Sequence, residues 1–484
     1  MRPDFNLAAF VLAAGARTPD KTALEVIGGP RWSYAALTRD ILGTATGLAA
    51  RTAPGDMVLL RLGNTPDFPI AYLAALAVGR VPIPTSAALT EAEISAMCAG
   101  LPIALVLQDP DVARPPRLPV LDVTELRALR DLPPAAYDLG DAERLGYLVF
   151  TSGTSGTARA VAHAHRAILG RQMMMQGWYG LSAADRVLHA GAFNWTYTLG
   201  TGLMDPWTAG ATALIPAPGT PAAELPQVLA QTEASIFAAA PGVYRQLLRG
   251  DMPALPHLRH GLSAGEKLPE ATREAWDAAT GTPIFEAYGM SECSTFISGC
   301  PDRPAAPGTL GTPQPGRRVA ILGPDGPVPP GTQGIIAVHR SDPGLMLRYE
   351  GAPEETAARF QGDWFLTGDM GVQTPSGDIR YEGRGDDMMN AGGFRVSPLE
   401  VEAALAGAPG LIAAACAEVT VKSDTSVIAA FYTAAAPLDE AGLQAYVAPK
   451  LARYKQPRLY VHVPDLPTGA NGKILRRALR ERYP

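Results

Sequence analysis

The sequence predicts an α/β protein with a large N-terminal domain of mostly parallel sheets flanked by helices, a small β-rich subdomain, and a smaller mobile α+β C-terminal domain. Three observations predict it. Near-continuous apolar runs, Met57 to Leu62, Ala104 to Gln108, Tyr147 to Thr151 and Ser235 to Ala239, are each bounded by turn residues and followed by an Ala/Leu-rich stretch of helical length. That is the pattern of buried parallel strands joined by crossover helices. From about residue 305, closely spaced glycines from Gly308 to Gly334 punctuate short strands such as Gly334 to His339, which marks a β-rich subdomain to about 383. Gly383-Arg-Gly-Asp-Asp387 then opens about 98 residues with an order of their own: helix 398–406, strands near 411–420 and 426–433, helix 438–452. The division is therefore 1–385 and 386–484, with a charged, glycine-bearing joint at which relative motion is expected.

The 484 residues carry 41 basic and 47 acidic side chains, a net charge of −6. An acidic chain without a basic block is not expected to bind nucleic acid, and 47% apolar residues exclude bulk disorder. Cys98, Cys293, Cys300 and Cys416 form no CxxC pair and no Cys/His run, so neither a disulfide framework nor a zinc site is supported, and a reducing cytoplasm is the expected location. The longest apolar stretches, Ala71 to Gly79 and Leu411 to Val419, fall short of the roughly 18 to 20 residues of a membrane span. Leu7 to Ala16 is preceded by Asp4 and ends at Arg17-Thr-Pro-Asp20, so a signal peptide is not expected.

After the run Tyr147 to Phe150 come Thr151, Ser152, Gly153, Thr154, Ser155 and Gly156, then Arg159 and a helical pattern from near His165. A strand, a hydroxyl- and glycine-rich loop and a helix suit a polyphosphate, because small residues let backbone N–H groups approach it closely. No Gly-Lys-Ser/Thr follows, so this is not a Walker A loop. In Ala287-Tyr-Gly-Met-Ser-Glu292, Tyr288 offers a flat face for adenine, Ser291 a donor, and Glu292 the carboxylate that would hold Mg²⁺ near the phosphates. Asp369, after the apolar Trp364-Phe-Leu, is placed to accept from ribose hydroxyls, and Arg384 adds a ribose or phosphate contact. Lys473 stands against the composition, since the chain has six lysines and 35 arginines.

The loop resembles the phosphate loop of the adenylate-forming superfamily of acyl-CoA synthetases, nonribosomal adenylation domains and luciferases. Ala287 to Glu292, Trp364 to Asp369, Gly383 to Asp387, Gly392 to Glu400 and Pro467 to Lys473 resemble that family's later motifs in order and spacing, over about 330 residues. The resemblance implies ATP-dependent activation of a carboxylic acid to an acyl-adenylate, with transfer to the thiol of CoA. It makes Lys473 the catalytic lysine, with Glu292 and Arg159 beside it, Thr154 a second Mg²⁺ contact, and Gly265, Glu266, Glu286, Ala287 and Gly289 part of the nucleotide site. It also implies Gly392, Gly393, Phe394 and Arg395 along the pantetheine arm of CoA, and a hinge at Asp386. Ala158-Arg159-Ala160 departs from the family's usual Pro-Lys-Gly; Arg keeps the charge but not the compact geometry of Lys.

Gly191 to Leu199 aligns by this resemblance with the segment lining the acyl pocket. Phe193, Asn194, Trp195, Tyr197, Ala264 and Gly289 describe an apolar, aromatic-lined cavity with an amide, which suits an aryl or medium-chain acid. Neutral Asn194 stands where amino-acid-activating relatives usually carry Asp, so an α-amino acid is disfavoured. No carrier-protein segment with its own Ser-bearing helix is present, so the thiol is expected from CoA, or alternatively from a separate acyl carrier protein. One competing pattern exists. Gly261-Leu-Ser-Ala-Gly265 fits a hydrolase nucleophile elbow at Ser263, with His339 or His462 to complete a triad, but that reading leaves every other motif unexplained.

Overall fold

The computed structural model describes residues 4–151, 159–385, 387–391, 394–422, 425–451, 453–469 and 474–482. The chain divides into two compact units, Met1–Arg318 with Val338–Asp363, and Val319–Ala337 with Trp364–Pro484. The sequence division at 386 is drawn elsewhere. The β-rich stretch is shared between the two units, 319–337 and 364–383 grouping with the tail and 338–363 with the first unit, whose large sheet Thr312–Pro313 closes.

In the first unit, Thr22–Val26, Thr212–Ile215, Arg186–His189, Ile236–Ala239, His260–Ala264 and Ile284–Met290 lie side by side in that order, all parallel. Antiparallel strands flank them, Arg31–Ser33 at one edge and Ser294–Ser298, followed by Thr312–Pro313, on the other side. A second sheet of four parallel strands is built on Met57–Arg61, whose five residues are all buried. The apolar stretch at 71–79 belongs to helix Asp67–Ala77, every residue of which is buried, and Asp67 is neutralised there by Arg127 and Arg130. No helix among the described residues is long and apolar enough to cross a membrane. All four cysteines are buried free thiols.

One expectation is corrected. The segment read as strand, loop and helix contains a further strand before its helix. Leu145–Thr151 pairs antiparallel with Arg159–Ala164, Thr151 opposite Arg159, and the helix begins only at Ala167. Arg159–Ala164 lies between Leu145–Thr151 and a short antiparallel strand, Arg348–Tyr349, and it is this tertiary pairing that makes it a strand.

The second unit holds a sheet with strands Val319–Gly323, Trp364–Gln373 and Ile379–Arg384, and a separate three-stranded sheet, Leu411–Lys422, Thr425–Ala434 and Leu459–His462. Alternate residues of the latter serve two cores. Cys416, Ile428, Ala430 and Tyr432 pack with Val401, Leu405, Leu443 and Val447 of helices Pro398–Leu405 and Glu440–Val447, while Ala415, Ala417, Val419, Ala429 and Phe431 pack with Leu479 of helix Arg476–Arg482. The helix expected over 438–452 is shorter because Asp439 caps its start, accepting from Gly442 N at 2.9 Å, and Pro449 disfavours helix just beyond its end.

Candidate active site

Glu292 lies in the turn between Ile284–Met290 and Ser294–Ser298 and is 7% exposed. Its Oε1 accepts from the Tyr349 hydroxyl at 2.7 Å, and its carbonyl accepts from Met346 N at 2.7 Å. Burial, and then the charge of Glu292, push the Tyr349 phenol above its ordinary range, which keeps it a donor. His163, on hairpin strand Arg159–Ala164, donates Nε2–H to the carbonyl of Ser291 at 2.8 Å. A carbonyl only accepts, so the proton is on Nε2. The hairpin therefore grips the Ser291–Glu292 pair directly through His163 and indirectly through Tyr349, on the strand paired with it. Arg159 is ion-paired with Glu355 and stands 5.9 Å from the Tyr349 ring centroid, so Arg159 and Glu292 both adjoin one tyrosine, at its ring and at its hydroxyl.

The other expected nucleotide residues of this unit collect at the C-terminal ends of adjacent parallel strands, where α/β sheets bind ligands. Ala264 is opposite Ala287, and Gly265 follows with φ +94° before Glu266. Tyr288 meets Phe296 edge-on, at 5.3 Å between centroids. Gly289 faces Thr295 beside a bulge, so close that a Cβ would stand 2.2 Å from the carbonyl oxygen of Ser294. The side chain of Glu286 is engaged elsewhere, accepting from Leu268 N at 2.9 Å and pairing with Arg273 at 3.2 Å. Ser263 lies fully buried inside strand His260–Ala264, its Oγ without a hydrogen-bond partner, and His339 bonds instead to Ser341 at 2.8 Å. That is not an exposed, strained nucleophile.

Along the acyl segment, Phe193 is buried against Phe68, with ring centroids 5.9 Å apart, and its N–H donates to Asn64 at 2.9 Å. Tyr197 stacks on Trp178 at 5.8 Å, and its hydroxyl donates to the carbonyl of Leu262 at 3.0 Å. Trp195 is 42% exposed. Asn194 lines a small cavity with His163, Arg171, Ser291 and Ser294. Arg171 is buried with Asp205, side chains 4% and 0% exposed, through bonds of 3.0 and 2.6 Å, and its Nη1 donates to Ser294 Oγ at 2.5 Å.

In the second unit Asp369 and Arg384 are cross-strand partners, with Nη1 3.5 Å from Oδ1 and the Tyr381 hydroxyl 3.4 Å from the same oxygen. Asp387 N donates to the carbonyl of Arg384 at 3.1 Å, and its carboxylate meets Arg480 at 3.0 Å and Arg476 at 3.7 Å. Arg476 also bonds both oxygens of Glu402, each at 2.8 Å, and Cys416 N donates to Glu402 at 2.7 Å. Ser152, Gly153, Thr154, Ser155, Gly156, Asp386, Gly392, Gly393 and Lys473 lie outside the described residues, as do the side chains of Phe394 and Arg395.

Residues 11–350 match the AMP-binding enzyme family, and residues 400–473 match the AMP-binding enzyme C-terminal domain. The chain belongs to the AMP-binding enzymes. It is 29% identical to the benzoate–CoA ligase of Thauera aromatica, over 96% of this chain and 91% of that one. It is 27% identical to the mitochondrial acyl-coenzyme A synthetase ACSM3 of Rattus norvegicus, over 93% of this chain and 84% of the relative. Among solved structures, ATP-bound MatB from Rhodopseudomonas palustris superposes with TM-score 0.89 at 25% identity, covering 99% of both chains. A benzoate CoA ligase from Burkholderia xenovorans LB400 superposes with TM-score 0.85 at 27% identity, covering 98% of this chain and 100% of that one.

Within this AMP-binding enzyme, sequence reasoning missed Tyr349, His163, Arg171 and Asp205. Tyr349 and Glu292 are 57 residues apart and meet only because Arg348–Tyr349 pairs with the hairpin. A buried Arg and Asp on separate helices leave no signal in a single sequence.

Proposed function

We propose that this AMP-binding enzyme is an AMP-forming acid–CoA ligase acting on an aryl or medium-chain carboxylic acid. The carboxylate oxygen attacks the α-phosphorus of ATP and pyrophosphate leaves. The thiol of CoA, losing its proton, then attacks the acyl carbon, and AMP leaves with the bonding pair. The observation that supports the reading is the buried carboxylate of Glu292, held by Tyr349 on the strand paired with Arg159–Ala164. Its neighbourhood fits a magnesium ion, which needs only one or two protein carboxylates beside substrate phosphates, and Thr154 is the second proposed contact. When bound, Mg²⁺ would neutralise charge on the departing pyrophosphate.

The loop and Arg159 bind the phosphates, Asp369 and Arg384 hold the ribose, and Lys473 bridges the carboxylate and the α-phosphate. Turning about Asp386 exchanges Lys473 for the stretch Gly392 to Arg395, along which pantetheine passes. The names of the relatives, benzoate–CoA ligase and 3-hydroxybenzoate–CoA ligase among them, support an aryl acid and CoA as acceptor. An acyl carrier protein is the alternative acceptor.

Pyrophosphate exchange with a panel of aryl and fatty acids tests the reaction class and the substrate together. Exchange is expected with at least one acid, falling roughly 10²- to 10³-fold in Lys473→Ala and in Glu292→Ala, as when a charge-stabilising group is lost from an active site. Lys473→Ala should still convert a supplied acyl-adenylate to thioester. No exchange with any acid would sink the ligase reading.

A further inference from the structure

Arg159 stands where the family's usual loop carries Lys, and the two cations are not interchangeable. A lysine ammonium is a point charge. A guanidinium is a flat plate with two forks of N–H donors, one formed by Nε and one Nη, the other by both Nη atoms, and each fork fits two oxygens of a carboxylate or a phosphate.

The first fork is taken. Arg159 Nε is ion-paired with Glu355 Oε2, and Nη2 donates to Oε1 of the same carboxylate at 3.2 Å. The Tyr349 ring adjoins the guanidinium, its centroid 5.9 Å from Cζ. Both partners come from one short stretch of chain. Tyr349 N donates to Thr356 Oγ1 at 3.0 Å, that hydroxyl donates to the carbonyl of Ala352 at 2.9 Å, and Glu350 N donates to the carbonyl of Ala160 at 2.8 Å. The first turn of helix Pro353–Ala358, which carries Glu355, is thereby tied to the strand that Arg159 opens.

An ion pair whose side chains are 31% and 48% exposed contributes little to folding, so stability does not account for this arrangement. What the pair fixes is a direction. Once the Nε edge is spent on Glu355, the plane of the guanidinium is set, and the Nη1–Nη2 edge is the fork that remains for an anion. A side chain ordered before its ligand arrives loses less freedom on binding.

Resting on the ligase reading above, we propose that Glu355 is a positioning residue for ATP, which holds Arg159 by its Nε edge so that the Nη1–Nη2 edge meets two oxygens of the triphosphate. Arg at 159 and a carboxylate at 355 then form one device. A lysine at 159 would have no second fork, and pairing with Glu355 would draw it off the phosphates.

The test measures ATP affinity by calorimetry without acid, and KM for ATP and for the acid in pyrophosphate exchange, in Glu355→Ala, Arg159→Lys and the double variant. In Glu355→Ala, Kd and KM for ATP should rise about three- to tenfold, KM for the acid should stay within about twofold, and the urea-unfolding midpoint should not move. In the Arg159→Lys background the same removal should act in the opposite sense and tighten ATP, because the ammonium is released from a competing carboxylate. A role in folding or in surface charge alone would not reverse sign between the two backgrounds. Tighter ATP in Glu355→Ala with Arg159 kept would make Glu355 a competitor of the phosphates and overturn the proposal, as would an unchanged Kd or effects of the same sign in both backgrounds. ATP bound normally with no exchange for any acid would remove the ligase reading alone.

Discussion

Glu292 was legible in the sequence because Tyr-Gly-Met-Ser-Glu names it, whereas the hydroxyl that holds it was not. Tyr349 belongs to a two-residue strand, too short for any periodicity to register, and its contact with Glu292 exists only through pairing across the hairpin. Replacing it tests how far that hydroxyl matters. Tyr349→Phe removes a 2.7 Å bond to a buried carboxylate, and should cost roughly 1.5–3 kcal/mol in urea unfolding and about tenfold in kcat/KM for adenylation. Unchanged stability and exchange would mean that Glu292 is held by its backbone bonds alone. The same limit applies to Asn194. Its type and place in the acyl segment could be read, but not its neighbours His163, Arg171 and Ser294, which come from three other elements.

At the scale of elements, the parallel strands were legible because runs such as Met57–Arg61 and Ile236–Ala239 are buried on both faces and carry that burial in their composition. Strand Arg159–Ala164 was not legible, because an Ala-rich stretch carries little β signal until the neighbours that pair with it are known, whereas the helix expected from near His165 begins at Ala167. Strand Ile284–Met290 shows what pairing demands of one residue. At Gly289 a Cβ would stand 2.2 Å from Ser294 O and 2.4 Å from Thr295 Cα, both backbone atoms with no rotamer to give. Gly289→Ala should therefore push the two strands apart and lose on the order of 1–3 kcal/mol of stability, with adenylation falling further because Glu292 is in the turn between them. Gly265→Ala is the comparison. There φ is +94° but nothing lies within 4 Å, so only backbone strain of about 1–2 kcal/mol is expected. Equal effects on urea unfolding and adenylation at the two glycines would contradict the clash argument.

Taken whole, the molecule carries seven histidines, of which His163, His165, His189 and His260 are buried with pKa values lowered by burial to about 4, 3, 3 and 4. Each binds a proton near pH 6.5 when unfolded but not when folded, so stability is complete above that pH and is lost as pH falls towards 4. Four such groups give a slope of roughly 5 kcal/mol per pH unit at its steepest, between about pH 4.5 and 6. Urea unfolding should be flat from pH 8 to 7 and decline sharply below 6, and a flat profile to pH 4.5 would show that these rings titrate in the folded enzyme. The helices and strands of the tail were legible from their own patterns; its internal electrostatics were not, because Asp387, Glu402, Arg476 and Arg480 are dispersed over more than ninety positions. Their two positive and two negative charges cancel only as a set. Any exchange of tails between relatives must therefore cut before Asp387. A seam between 388 and 401 separates Asp387 from both its arginines, and one between 403 and 475 separates both carboxylates from them, so the usable crossover for recombining acid and thiol specificities is set by a charge balance rather than by the end of a sheet.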